Sequence, residues 1–257
     1  MLRCVTGLLC LLSLLSHAEG PPSGQLRMCY TPINADSKSL AGAREYALFD
    51  RFYVKLRDGI APLGLSIEAQ QFPWKRCAHL IATGQMDATV PVIWSPERET
   101  WAVYPKASDG SLDESVRLRR AEYFVYVSLD SDLVWNDDSF SDTKSRLWAP
   151  IGYKVYDKLR EDRALTMERY AMAEAFTMVS RNRLDGVVVE ANDGDYHINQ
   201  LKLADKIKRL PLPYYSNDWY LVFSYEFFEL YPQIAREIWL RGIGKKAESV
   251  STSAATQ

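Results

Sequence analysis

The stretches GQMDATVPVI, residues 84–93, and NRLDGVVVE, residues 182–190, share one design, and that design decides the fold. Each opens with a Gly or an Asn, the residue types that most readily end a helix in a left-handed conformation. Two connecting residues follow, then an Asp, a small residue and an apolar strand. The copies begin 98 residues apart, at residues 84 and 182. A design repeated at that spacing predicts two similar α/β lobes and not one large sheet.

The residues around the two copies predict alternating strands and helices. In the first half, the apolar pattern predicts strand, helix, strand, helix and strand over residues 26–31, 46–57, 65–69, 73–84 and 87–93. In the second half it predicts strand, helix, helix and strand over residues 146–152, 153–163, 172–182 and 185–190. This alternation is typical of a parallel sheet with helices on its faces, so the predicted fold class is α/β.

Two further stretches connect the predicted lobes. Residues 123–127 (YFVYV) and 219–224 (WYLVFS) have strand-like patterns, the first between the lobes in chain order and the second after the second lobe. Two extended crossings form a hinge. We therefore expect one lobe over residues 24–122 together with 213–257, and the other over residues 128–210.

Three local patterns complete the chain. Residues 227–240 predict a terminal helix that packs on the first lobe. Residues 245–257 are polar and predict a flexible tail. The stretch NDGD at 192–195 is typical of a turn.

The first 18 residues are typical of a secretory signal peptide. Arg3 precedes an uncharged, Leu-rich run over residues 5–15, and Ser16 and Ala18 supply small residues before a cleavage ahead of Glu19. The run is too short to span a bilayer about 30 Å thick, and no later segment reaches the roughly 18 apolar residues that a span needs. The sequence therefore predicts a secreted mature protein without a membrane span.

Composition excludes several classes of protein. Of the 257 residues, 47% are apolar and 25% are charged, which excludes a disordered chain and a multi-pass membrane protein. The 31 basic and 33 acidic residues give a net charge of −2, without the basic excess that binding to a phosphate backbone needs. We therefore expect no nucleic-acid partner.

Few residues are available for metal or redox chemistry once the signal peptide is removed. The remaining cysteines are Cys29 and Cys77, and the remaining histidines are His79 and His197. Their spacing builds no metal site, and the chain lacks nucleophile-elbow, phosphate-loop and dinucleotide motifs. We therefore expect no metal, no cofactor and no catalytic residues. The two cysteines either pair in an oxidising compartment or stay as two buried thiols.

In order and spacing, the stretches described above resemble the bacterial family 3 extracellular solute-binding proteins, the amino-acid-type periplasmic receptors of ABC importers. The elements that carry the resemblance are residues 74–88, SPER at 95–98, the crossing at 123–127, RLDGVVVE at 183–190 and YLVFS at 220–224. The resemblance covers most of the mature chain. It implies a two-lobed type II periplasmic binding fold with a ligand bound between the lobes.

The resemblance also assigns three residues to the ligand. Trp74 matches an aromatic residue that stacks on the ligand, although a core Trp would have the same pattern. Arg98 matches an arginine that binds an α-carboxylate through two hydrogen bonds, for which a guanidinium is better suited than an ammonium. A solvated Arg beside Glu97 and Glu99 is the alternative. Glu190 matches an acid that receives an α-ammonium, and it ends a buried strand at the edge where α/β clefts open.

Three further candidates depart from the family's pattern. Trp94 follows Pro91, which has no N–H to donate, in a stretch where members often offer hydroxyl groups. Tyr153 and Lys154 stand where members often hold the carboxylate with Ser or Thr. The helix N-terminus there can still bind an anion through backbone N–H groups, and Lys154 adds charge unless it is only solvated. These departures count against a standard α-amino acid as the ligand.

The resemblance implies a monomeric periplasmic protein that captures a small polar solute, an amino acid or a related compound, for import through the permease of an ABC transporter. Arg98 and Glu190 are expected to face a zwitterionic or mixed-charge solute from opposite walls and to meet it on closure. Two alternatives stay open. One is a dehydratase-like enzyme on the same fold, with Arg98, Glu190 and Lys154 as acid/base candidates. The other is a protein that presents its closed form to a membrane sensor.

Overall fold

Eight strands form one hydrogen-bonded network in a computed structural model of the protein, which describes residues 21, 23–31, 52–141 and 146–244. The strands are β1 (Gln25–Tyr30), β2 (Ser66–Gln71), β3 (Ala88–Ile93), β4 (Arg119–Ser128), β5 (Leu147–Trp148), β6 (Gly186–Glu190), β7 (Ile207–Arg209) and β8 (Tyr215–Phe223). Their order is β2-β1-β3-β8-β4-β6-β5, and β7 pairs with β4 beside this path.

Helices follow most of the strands along the chain. The described part of α1 covers residues 52–60. The next helices are α2 (Trp74–Ala82), α3 (Pro96–Glu99), α4 (Lys154–Glu161), α5 (Met172–Val179), α6 (Ala191–Gln200), α7 (Tyr225–Leu230) and α8 (Pro232–Ile238). A π-helical turn at Trp239–Ile243 follows α8.

The first half of the sheet is a parallel unit extended by β8. Strand β1 pairs in parallel with both β2 and β3, and β3 pairs antiparallel with the C-terminal part of β8. Leu26 and Met28 of β1 share a core with Phe223 of β8 and Ile238 of α8. The C-terminal helix therefore packs on the strands of the first half.

The second half places β6 between β5 and β4. Strand β6 pairs in parallel with β5 and antiparallel with β4. Its three consecutive valines are all buried, because Val187 and Val189 pack with Phe176 of α5 while Val188 packs with Leu159 of α4. Helices on both faces of the sheet explain why this strand has an uninterrupted apolar sequence.

The long strands β4 and β8 join the two halves. Residues 119–123 of β4 pair antiparallel with residues 215–219 of β8. Beyond this ladder, β4 continues against β6 in the second half and β8 continues against β3 in the first. In the network of described strands, β1 and β5 lie at separate positions and do not pair with each other. The predicted α/β fold with a hinge of two crossing strands is confirmed. The expectation that the halves would not share one large sheet is wrong, because the crossing strands join both halves into one hydrogen-bonded network.

The repeated design that decides the fold has the predicted backbone conformation in both copies. Gly84 and Asn182 have φ values of 69° and 54°, which are left-handed conformations. The Asp carboxylate of each copy accepts a backbone N–H from the neighbouring parallel strand. Asp87 accepts the N–H of Arg27 in β1, and Asp185 accepts the N–H of Arg146, the residue before β5. The Asp therefore fixes the start of each strand pair, which explains why the same residue type occurs twice.

Three local predictions are wrong. Residues 192–195 lie inside α6 and form no separate turn, because the Glu190 carboxylate caps that helix by accepting the Asn192 N–H at 3.0 Å. The helix predicted over residues 227–240 is two helices, since Pro232 begins α8 after a non-helical Tyr231. The strand predicted over residues 146–152 is only the two-residue β5.

Cys29 and Cys77 form a disulfide, with their Cα atoms 5.9 Å apart. The sequence left pairing and two free thiols as alternatives, and the structure has the pair, which ties β1 to α2. The predicted signal peptide at residues 1–18 and the predicted tail at 245–257 lie outside the described residues. None of the helices described is both long enough and apolar enough to cross a membrane.

Candidate functional site

A cleft opens where the crossing strands meet the ends of β3 and β6. Its lining comes from both halves of the sheet: Thr31, Trp74, Pro91, Ile93, Arg98, Tyr123, Gly152, Tyr153, Lys154, Glu190, Asp193 and Trp219. The empty volume, with the open mouth included, is about 550 Å³.

Five of the six predicted site residues line this cleft: Trp74, Arg98, Tyr153, Lys154 and Glu190. The sixth, Trp94, lies outside the lining. Its indole N–H donates to the Glu99 carboxylate at 2.7 Å, and the Lys106 ammonium is 5.6 Å from its ring centre. Side chains alternate along an extended chain, so Ile93 at the end of β3 faces the cleft and Trp94 faces away.

Arg98 is a buried cation at the wall of the cleft, and only 7% of the residue is exposed. Its Nη1 donates to the Ile93 carbonyl at 3.0 Å, and its Nη2 donates to the Gly152 carbonyl at 3.1 Å. The guanidinium carbon lies 4.8 Å from the ring centre of Trp74. The ion pairs found between described residues do not include Arg98. Carbonyl dipoles and an aromatic face therefore surround this charge.

The Arg98 guanidinium stays charged and keeps donors for an anion. Burial lowers its pKa from 12.5, a starting value so high that the group remains protonated at neutral pH. A guanidinium has five N–H donors, and the two carbonyl contacts use two of them. The remaining donors suit a carboxylate, which can accept two parallel hydrogen bonds from one arginine.

Gly152 and Lys154 form the opposite wall. Gly152 has a φ of 89°, and a Cβ at this position would lie 3.3 Å from the Trp74 ring. The Lys154 ammonium, at the start of α4, pairs with the Glu97 carboxylate of α3 at 3.1 Å. Together with the bond from Arg98 to the Gly152 carbonyl, these contacts join the two walls directly.

Glu190 is buried at the end of β6, with 2% of the residue exposed. Its Oε2 accepts the backbone N–H of Asn192 at 3.0 Å, and its Oε1 accepts the Asn192 amide at 3.2 Å. Arg119 forms an ion pair with it, with 2.9 Å between Nη2 and Oε1. The Arg119 guanidinium also lies 4.2 Å from the ring centre of Trp219. The acid predicted to receive an ammonium therefore already has a cation as its partner.

Sequence reasoning did not assign Arg119 to the site, nor seven residues of the lining: Thr31, Pro91, Ile93, Tyr123, Gly152, Asp193 and Trp219. Arg119 stands directly opposite Trp219 in the ladder between the crossing strands. A charged residue at the start of an apolar strand is visible in the sequence and could have marked Arg119 as a candidate. Its pairing with Glu190 depends on strand register, which no local pattern gives. The Thr31 hydroxyl is buried without a hydrogen-bond partner in the described part of the chain. Burial raises the pKa of Tyr123, so its hydroxyl stays protonated.

The lining offers both hydrogen-bond donors and aromatic faces to a bound molecule. In the described ranges, no group of three or more His, Cys, Asp or Glu side chains is arranged to hold a metal ion. Asp193, the second acid of the lining, interacts with other residues of the fold. Arg98 offers donors to an anion, and four aromatic side chains offer flat walls: Trp74, Tyr123, Tyr153 and Trp219.

Comparisons with known proteins place the fold. No protein-family model and no curated protein matches the chain. Among solved structures, holo ArgBP from T. maritima has a TM-score of 0.59 at 12% identity, over 84% of this chain and 89% of that one. A histidine kinase sensor domain with similarity to periplasmic binding proteins has a TM-score of 0.59 at 13% identity, over 83% and 88%. The ancestral amino-acid-binding protein AncCDT-1, a precursor of cyclohexadienyl dehydratase, has a TM-score of 0.58 at 14% identity, over 84% and 88%.

Identities this low carry information about fold and not about ligand. The matches span most of each chain, and they agree with the two α/β halves, the crossing strands and the cleft between them. This chain therefore has the two-lobed type II periplasmic binding fold.

Proposed function

We propose that this protein is a periplasmic solute-binding protein that holds a small polar solute in the cleft and returns it unchanged. Arg98 carries the proposal. It is a buried guanidinium on the cleft wall, with donors in reserve and no carboxylate partner in the described part of the chain. A carboxylate bound there would gain hydrogen bonds to a charged group, worth about 1.5–3 kcal/mol each. The shared fold with amino-acid-binding proteins supports the same use of the cleft.

We propose that binding closes the cleft. One lobe would consist of residues 24–122 with 213–257 and the other of residues 128–210, joined by the crossing strands. A solute that touches both walls favours the closed form through its higher affinity for that form. The contacts from Arg98 to Gly152 and from Lys154 to Glu97 support this proposal, because they join residues of the two lobes.

We propose import by an ABC transporter as the purpose of binding, after secretion through the signal peptide. Presentation to a membrane sensor is the second use of the same closure, and a histidine kinase sensor domain shares the fold. Binding to a purified permease complex in the presence of solute would support import. Binding instead to a sensor ectodomain would favour the second use.

Calorimetry on arginine variants tests the site. A thermal-shift screen of amino acids, polyamines and small carboxylates first identifies a solute, which should stabilise the protein by about 2.7 kcal/mol at 100 times its Kd. Arg98→Ala should then weaken binding by about tenfold or more, about 1.4 kcal/mol. Arg160→Ala is the matched control. Arg160 is exposed on α4, and the ion pair found for it among the described residues is with Asp157.

Arg98→Lys separates binding from folding. Arg98→Ala also removes the Arg98 donor from the Gly152 carbonyl and leaves the Ile93 carbonyl with the Tyr104 hydroxyl alone, so the ligand-free variant should melt at a lower temperature than the wild type. Arg98→Lys keeps the charge and loses the two-pronged geometry, so it should bind more weakly while folding normally by circular dichroism. Wild-type affinity in both Arg98 variants would remove the main support of the proposal. Chemical change of the recovered solute, measured by mass spectrometry, would favour an enzyme.

A further inference from the structure

The acid side of the cleft is already neutralised by the protein. Glu190 accepts two hydrogen bonds from Asn192, and its Oε1 also forms an ion pair with Arg119 at 2.9 Å. The residue is almost fully buried, so these partners compensate its charge inside the fold. An ammonium group from a solute would have to share this carboxylate with the Arg119 guanidinium.

Arg119 also places a fixed positive charge beside Glu190. Two neighbours hold its guanidinium: the Glu190 carboxylate at 2.9 Å and the Trp219 ring at 4.2 Å from its centre. Trp219 stands opposite Arg119 in the strand ladder, so the backbone itself fixes this arrangement. A solute ammonium next to Glu190 would meet a like charge, and burying it without an acceptor is costly.

Arg98, in contrast to Glu190, has no oppositely charged partner among the described residues. Its guanidinium has carbonyl and aromatic neighbours, and no acid pairs with it in the described residues. Lys154 is a second cation of the lining, and it pairs with two acids, the largely exposed Glu97 at 3.1 Å and Asp157 at 3.6 Å. Asp193 is the one other acid of the lining, and it interacts with other residues of the fold. Among the described lining residues, the cleft therefore has a buried cation without an acid partner, while both acids already interact with other residues.

We propose that the solute is a carboxylate that lacks an α-ammonium group, with an apolar or aromatic body against Trp74, Tyr123, Tyr153 and Trp219. This inference rests on the proposed function, because it assumes that the solute carboxylate binds at Arg98. It differs from the sequence-based expectation of a zwitterion held between Arg98 and Glu190. The difference arises from Arg119, which already pairs with the carboxylate that the ammonium was expected to meet.

Matched pairs of acids test the inference directly. Each pair differs only by the α-ammonium: 3-phenylpropionate with L-phenylalanine, and 4-methylpentanoate with L-leucine. Calorimetry on the wild-type protein gives the Kd of each compound. In the pair that contains the tightest binder, the acid without the ammonium should bind about tenfold more tightly or better, about 1.4 kcal/mol. A smaller preference, or tighter binding of the amino acid, overturns the inference.

The outcomes separate this inference from the proposed function. If the amino acid binds more tightly and Arg98→Lys weakens it, the proposed function stands and the inference fails. If Asp193→Asn also abolishes the preference for the amino acid over the acid, Asp193 is the acceptor of the ammonium. If no compound binds, or if Arg98→Lys leaves every affinity unchanged, the proposed function fails and the inference fails with it.

Two variants at the ion pair test the physical cause. Arg119→Gln removes the cation and leaves Glu190 available, so the preference for the acid over the amino acid should fall by about tenfold. The double variant Arg119→Gln/Glu190→Gln has neither charge, so it should keep a preference for the acid. Melting temperatures and circular dichroism establish that each variant is folded. A preference that is unchanged in folded Arg119→Gln would refute the role given to Arg119.

Discussion

Removing the Cys29–Cys77 disulfide should lower the stability of this protein substantially. The bond joins β1 to α2 and closes a loop with a sequence separation of 48. In the chain-entropy description, a cross-link over a loop of that length stabilises the fold by about 4 kcal/mol, because it restricts the unfolded chain. At about 2–4 °C per kcal/mol for a chain of this size, the melting temperature should fall by about 8–16 °C.

Urea unfolding with and without reductant measures this effect. Both cysteines are fully buried, so a reductant reaches them only when the chain unfolds. The wild-type protein should therefore unfold at a lower urea concentration when reductant is present, and Cys29→Ala/Cys77→Ala should unfold at a similarly low concentration. The double variant is also the control, since reductant should not change its transition further. If reductant and the double substitution both leave the wild-type midpoint in place, the reasoning is refuted.

Three further predictions concern single residues. Burial lowers the pKa of His197 from 6.5, so the folded protein resists a proton that the unfolded chain accepts. The contribution of His197 to the free energy of unfolding should be constant above pH 6.5 and should fall below it by up to about 1.4 kcal/mol per pH unit, down to the pKa of His197 in the folded protein. In urea titrations, His197→Gln should make stability depend less on pH over that interval. Gly194→Ala should cost about 1–3 kcal/mol in thermal unfolding, because the new methyl group would overlap the Tyr126 ring; an unchanged melting temperature would contradict that packing. Glu97→Gln should change stability by only about 0–1 kcal/mol in the same assay, because Glu97 is 78% exposed in its pair with Lys154; a larger loss would mean that this contact between the walls matters more than its exposure suggests.

Local patterns predicted most of the fold. Gly84 and Asn182 adopt the left-handed conformation that their position at a helix end requires, and the apolar stretches after them are strands. These features depend on neighbours in sequence, so they can be read without the tertiary structure. The same locality explains the errors. Residues 192–195 favour a turn by themselves, and the carboxylate of the buried Glu190 caps a helix over them.

The sequence by itself determined which residues could serve the cleft, and the tertiary structure decided which of them are available to a solute. Side-chain chemistry and strand ends identified Arg98 and Glu190, and both line the cleft. The pairing of Glu190 with Arg119 depends on the register of β4 against β6 and β8, which long-range packing sets. Arg98 has no such partner among the described residues, so its charge faces the cleft. Local patterns specify the chemical groups, but only the positions of distant strands specify which charges cancel each other, because Coulomb interactions depend on distance in space and not in sequence.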